Sequence, residues 1–152
     1  MINMVETQET KLICQTFVEY GEAFKTLNPF TILSYYEFPA LLIEAGSKSR
    51  TLPTLPFGWF GGFALFAIAV LKLRSQSYSH SCFTQLSVQY LSDDLTLLSG
   101  QATRFRKDDT VLKQFGFLYT MRKTSRGWKI IVGTIHDLDK SLQLENHCPI
   151  DD

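Results

Sequence analysis

His136 and Tyr119 are the side chains of this sequence best suited to chemistry on a small molecule. An imidazole titrates near neutrality and can act as a general base. A phenol hydroxyl can donate a hydrogen bond to a carbonyl or an oxyanion. The two lie in strand-like runs, "TVLKQFGFLYTMRK" and "GWKIIVGTIHDL", joined across the turn "TSRG". Pairing Thr124 with Gly127 sets Tyr119 opposite Val132. One face then carries Val111, Phe115, Phe117, Tyr119 and Met121 beside Trp128, Ile130, Val132, Thr134 and His136. Arg104, in "QATRFRKDD", shares that side if Leu98, Gly100 and Ala102 point inward, and its fork suits a ligand carboxylate. Each residue has a plainer alternative. His136 can be a half-exposed strand-end histidine, since no carboxylate is placed to orient its ring. Tyr119 can be a packed tyrosine with a satisfied hydroxyl, and Arg104 a solvated arginine beside a turn.

Other chemistry finds less support. His80 and His147 lie in polar surroundings, no two histidines have metal-ligand spacing, and there is no HExxH. Asp137 and Asp139 are too few for a metal site. No metal and no cofactor are expected. The cysteines, Cys14, Cys82 and Cys148, are odd in number and far apart, with no CxxC. That argues against a disulfide framework and a zinc knuckle, and Cys14 and Cys82 read as small buried apolar residues. The opening "MINMVETQET" lacks the basic and apolar regions of a signal peptide, so the expected compartment is the cytoplasm. Fifteen basic and fifteen acidic side chains cancel, and the aromatics are not interleaved with Lys and Arg. Nucleic-acid binding needs a basic footprint, which this composition lacks.

These residues need elements to hold them. Thr51 to Leu71 has no charge and no histidine, which raises the question of a membrane span. Pro53, Pro56, Gly58, Gly61 and Gly62 crowd its first half. The clean helical run is Phe63 to Ser75, about 20 Å against the roughly 30 Å of a bilayer core. The segment therefore reads as a loop followed by a core helix that neighbours must cover all round. Residues 8–27 carry Ile13, Phe17, Tyr20, Phe24 and Leu27 at helical spacing. Asn28 can cap a short helix from Pro29 to Tyr36. Phe38 precedes proline and should be extended, with a strand over Ala40 to Ala45. Four alternating runs follow, joined by short polar turns, which predicts an antiparallel meander. Strands gathered after helices make the class α+β. The curved meander, with three helices on its concave face, forms a cone. On the outer face Leu118, Ile131 and Ile135 would lie in water, which predicts a homodimer through the sheet or a tail folded over it.

This order of elements resembles the nuclear transport factor 2-like superfamily, with its SnoaL-like and ketosteroid-isomerase-like proteins. The stretches that carry the resemblance are "FVEYGEAFKTLNPFTILSYYEFPALLIE", "FALFAIAVLKLRSQSYSHS" and "YTMRKTSRGWKII". The branch it is similar to is a bacterial one. The resemblance implies one cystatin-like domain over residues 1–152, with a core at 8–138 and a tail at 139–152. It implies a pocket inside the cone, with a candidate lining of Phe17, Tyr20, Tyr36, Trp59, Phe63, Phe117, Tyr119, Val132, Thr134 and His136. Arg104 is the candidate anion contact. Ketosteroid-isomerase-like enzymes place a tyrosine where this chain has Phe17, an aspartate base at Ile43 or Glu44, and a second acid at Tyr119. These departures argue against steroid isomerisation. The expectation is a mostly apolar pocket for a small hydrophobic or amphipathic molecule, without catalysis. The alternatives are a SnoaL-like enzyme using His136 or Tyr119, and a dimeric interaction module. Neither nucleic acid nor a membrane is an expected partner.

Overall fold

The computed structural model describes the backbone of residues 4–52 and 57–149, and the side chains of residues 7–52 and 60–149. Helix α1 (Met4–Ala23) opens the chain, and a 3-10 turn (Phe24–Thr26) extends it. Its apolar stripe is buried, with Ile13 and Phe17 at 1% exposure or less. Leu27 turns the chain with a positive φ of 51°. Helix α2 (Pro29–Leu33) then starts as its residues dictate: the Asn28 carboxamide accepts from the Phe30 N–H at 3.0 Å, and Pro29 occupies the first turn.

Strand β1 (Tyr36–Glu44) follows, starting earlier than the sequence suggests, and pairs with the short β2 (Arg50–Leu52). Helix α3 (Phe57–Ser75) also starts earlier, running through Gly58, Gly61 and Gly62. Packing overrides propensity there. Gly62 is buried, and a methyl group in place of its hydrogen would come within 2.7 Å of the Leu33 side chain, so the glycine is what lets α3 lie against α2. Contrary to expectation, α3 is not covered on all sides. Phe60, Ile68 and Leu71 are each more than 60% exposed along one stripe. Among the described residues no helix is long and apolar enough to cross a membrane.

The remaining strands are β3 (Tyr78–Ser92), β4 (Leu95–Arg106), β5 (Val111–Thr124), β6 (Gly127–His136) and β7 (Asn146–His147). The sheet order is β2-β1-β6-β5-β4-β3-β7. Strands β3 to β6 form the antiparallel meander, but β1 joins β6 in parallel, so the curved sheet is mixed rather than antiparallel throughout. The class is α+β, with three helices and a sheet that does not close into a barrel.

One irregularity changes the site. The β5–β6 hairpin begins in the expected register, with Thr124 across from Gly127. Between Thr120 and Met121 it shifts by one, because β6 carries Ile131 as an extra residue. Tyr119 therefore pairs with Gly133, not Val132, and Phe117 with Ile135. A one-residue slip exchanges the faces of every residue beyond it. Gly133 and Ile135 point inward, while Val132, Thr134 and His136 point outward.

The tail lies against that outer face. Ser99 Oγ donates to the Leu142 carbonyl at 2.7 Å, and Gln101 Nε2 to the Leu138 carbonyl at 3.1 Å. The Leu144 N–H donates to Ser87 Oγ at 2.9 Å. The chain then rounds the sheet edge as β7 alongside β3 and reaches α1 on the other side, where Cys148 forms a disulfide with Cys14. The reading of the cysteines as unpaired is thus corrected: 134 residues of separation and a Cα–Cα distance of 5.8 Å hide the partnership from sequence spacing. The argument against a disulfide falls with it. Cys82, expected to be buried, is exposed and is the free thiol among the described residues.

Closing so long a loop removes chain entropy from the unfolded state, with an expected stabilisation of about 2–5 kcal/mol. Urea unfolding should show a loss of that size for Cys148→Ser. Thiol counting on the unreduced, denatured protein should find Cys82 alone, and all three cysteines after reduction. Three reactive thiols without reductant would mean that the strap is open.

Candidate functional site

The elements facing α1 and α3 enclose a cavity of about 460 Å3, within the range of small-molecule sites. Its floor is aromatic. Phe17, from α1, centres the cluster, with ring centroids 4.9 Å from Phe117, 5.0 Å from Tyr119 and 5.0 Å from Phe83. Tilted and edge-on rings at such distances suit their quadrupoles. Gly133 makes the arrangement possible: a methyl group there would come within 2.7 Å of the Tyr119 ring.

Three phenols converge on this floor: Tyr20 from α1, Tyr36 from β1 and Tyr119 from β5. The hydroxyls of Tyr20 and Tyr36 are 2.6 Å apart. Tyr119 lies edge-on to Tyr20 at 5.9 Å between centroids. Burial pushes the ionisation of all three up, because a phenolate in an apolar surround loses its hydration. At neutral pH the floor therefore presents protonated hydroxyls.

The upper wall is charged. Lys48, Arg50, Lys72, Arg104 and Lys113 line it, against the single carboxylate of Glu44. Glu44 shares the inner parity of β1 and is 3.3 Å from Lys113 Nζ. Its side chain is 49% exposed, so it is a solvated ion-pair partner rather than a desolvated base. Arg104 does face inward. Its guanidinium lies over Phe24 at 5.7 Å and over Phe115 at 5.0 Å.

Of the expected lining, the structure brings together Phe17, Tyr20, Tyr36, Phe117 and Tyr119, with Arg104 above them. It does not bring Val132, Thr134 or His136 there, for the register reason given above. His136 packs against Gly116 on the outer face, with Nδ1 2.8 Å from the Asp137 carbonyl. Phe63 turns away to pack against Phe30, with tilted rings 4.7 Å apart. The Trp59 side chain lies outside the described residues. Leu42, Phe66, Phe83 and Lys113 complete the wall without having been singled out from sequence, together with Phe115, expected on this face, and Ile135, expected on the outer face and brought inward by the same register shift. Parity alone places Phe115 and Lys113 with Tyr119. Among the described residues no three His, Cys, Asp or Glu side chains gather as a metal site.

Residues 8–138 match the family described as NTF2-like protein (DUF6841). No curated protein matches the chain. Among solved structures, the chain is similar to an NTF2-like protein with a cystatin-like fold from Novosphingobium aromaticivorans, at 14% identity and a TM-score of 0.70, covering 88% of this chain and 84% of that one. An NTF-2 like protein of unknown function from Shewanella oneidensis has 20% identity, a TM-score of 0.64 and coverage of 82% and 96%. A ketosteroid isomerase-like protein from Erwinia carotovora atroseptica has 16% identity, a TM-score of 0.58 and coverage of 84% and 95%. Identities this low carry the fold alone.

The tyrosine floor has a pH signature. The folded state holds the protons of Tyr20, Tyr36 and Tyr119 above the ordinary phenol range, whereas the unfolded chain releases them near pH 10. Above that pH the unfolded state binds fewer protons, so stability should be intact below about pH 10 and fall beyond it. Phenolate absorbance should rise in two stages, with these three, and Tyr78, whose ionisation burial also pushes up, in the late stage that accompanies unfolding. Smooth titration of all six tyrosines in the folded protein would contradict the burial.

Proposed function

Taking as premise that this chain belongs to the NTF2-like family DUF6841, we propose that it binds a small, largely apolar molecule in the cavity under α1 and α3, without chemical conversion. The observation that carries this reading is the aromatic floor. Phe17, Phe117, Tyr119, Tyr20 and Tyr36 are each 6% exposed or less, yet they border 460 Å3 of open volume. Apolar walls with a few fixed hydroxyls suit a ligand that is mostly hydrocarbon with one or two polar atoms.

A second reading follows from the hydroxyl cluster. Tyr20, Tyr36 and Tyr119 could polarise a carbonyl, as in a SnoaL-like isomerase, cyclase, dehydratase or hydrolase. It lacks a general base on the described wall: His136 faces outward and Glu44 is tied to Lys113. The binding reading is therefore preferred. Association of two chains through the outer sheet face, around the half-buried Leu118 and Ile131, is a separate proposal.

Nile red, a neutral dye that brightens in apolar sites, tests the binding reading. Ala69 lines the cavity from α3, and Ala69→Trp should fill it. The wild-type protein should bind the dye saturably, and the variant about tenfold more weakly with its helical circular dichroism unchanged, since steric exclusion removes more than about 1.4 kcal/mol. Equal binding by both proteins would place the dye elsewhere and overturn the reading.

A further inference from the structure

Resting on that binding reading, we propose that the ligand is an amphipathic carboxylate, with its apolar body on the aromatic floor and its head on Arg104. The argument starts from cross-strand register. Arg104 pairs directly with Lys113 on β5 and with Ser81 on β3, all three on the cavity face. Like charges directly opposite one another are destabilising. Lys113 is relieved by Glu44. Arg104 is not: among the described residues no carboxylate lies within salt-bridge distance of it, and Ser81 spends its hydroxyl on Tyr78 at 2.8 Å. Glu22, an acid of the facing helix α1, is held by Lys25 at 2.7 Å.

What contacts Arg104 is apolar. The rings of Phe24 and Phe115 flank its guanidinium at 5.7 and 5.0 Å, and no acceptor among the described residues takes its N–H donors, which leaves them to a ligand in the cavity. The planar fork of an arginine with free donors matches the two oxygens of a carboxylate. Lys48, Arg50 and Lys72 surround the same opening, so the local field attracts an anion. The floor decides the rest of the molecule. It offers rings and three phenol hydroxyls, while the polar side chains of Glu44, Ser47, Gln76 and Ser81 belong to the wall around it, so the floor itself takes an apolar body. An alkyl carboxylate and an aromatic carboxylate share the chemistry that Arg104 and the floor select.

Displacement of Nile red at neutral pH tests this with matched pairs: decanoate against decanol, and naphthoate against naphthol. In the wild-type protein at least one carboxylate should displace the dye at about tenfold lower concentration than its alcohol, the advantage of a charge-assisted hydrogen bond over a neutral one. Whichever pair shows the preference identifies an alkyl or an aromatic body. Arg104→Met should abolish the preference while dye binding persists, and Arg104→Lys, which keeps the charge but loses the fork, should retain part of it. Equal displacement by carboxylate and alcohol in both wild-type pairs would overturn the proposal with no variant needed, as would a preference that survives Arg104→Met. Either result, with dye binding still sensitive to Ala69→Trp, leaves the binding reading intact. Dye binding insensitive to Ala69→Trp removes both.

Discussion

Strand β6 carries one residue more than β5 can match, and the interior depends on where that residue sits. With Ile131 as the bulge, Gly133 falls across from Tyr119 and Ile135 across from Phe117. The glycine is the one residue on β6 that admits the tyrosine ring, since any Cβ there would collide with it. The same step turns His136 outward, over Gly116, where Ser141 of the tail also lies. The cavity is consequently aromatic, phenolic and free of imidazole. A straight hairpin would have set Val132, Thr134 and His136 there, and a different chemistry with them.

An open cavity survives only if its cover cannot collapse into it, because proteins otherwise fill such space. Helix α1 is tied to the sheet by a carboxylate clamp, by the Thr10 and Tyr90 hydroxyls 2.9 Å apart, and by a disulfide. Near its start the Glu9 carboxylate accepts from Lys123 Nζ and from the Trp128 indole, each at 2.9 Å, which clamps the helix to the β5–β6 hairpin. Those two donors hold the Glu9 carboxyl below its ordinary range. One turn and a half further on, Cys14 ties the helix to Cys148 beyond the opposite sheet edge. Beyond these anchors α1 presents Phe17 and Tyr20 to the sheet as fixed rings. The wall of cations then decides what kind of molecule such a space attracts.

Much of the fold was legible in the sequence, since periodicity reports local structure. The stripe of Ile13, Phe17 and Tyr20, the Asn28–Pro29 helix start and the alternation in the meander all carry their meaning within a dozen residues. So does the inward parity of Arg104, which follows from Leu98, Gly100 and Ala102 on an unbroken stretch of β4. What was not legible depends on distant partners. The parallel pairing of β1 with β6 and the Cys14–Cys148 link join residues far apart in the chain. The bulge was hidden differently: alternation in "GWKIIVGTIH" fits either register, and only the glycine at 133, read as a close-approach position, distinguishes them. The glycines of α3 misled in the other direction, since Gly62 buys contact with Leu33 rather than breaking the helix.

The central claim is the inward placement of Gly133 and Ile135 by the bulge, and isotope-edited nuclear Overhauser spectroscopy tests it most directly. The account predicts cross-peaks from the Tyr119 ring to the Gly133 α-protons and from the Phe117 ring to the Ile135 methyls. Cross-peaks instead from Tyr119 to the Val132 methyls and from Phe117 to the Thr134 methyl would contradict it, and would return Thr134 and His136 to the interior.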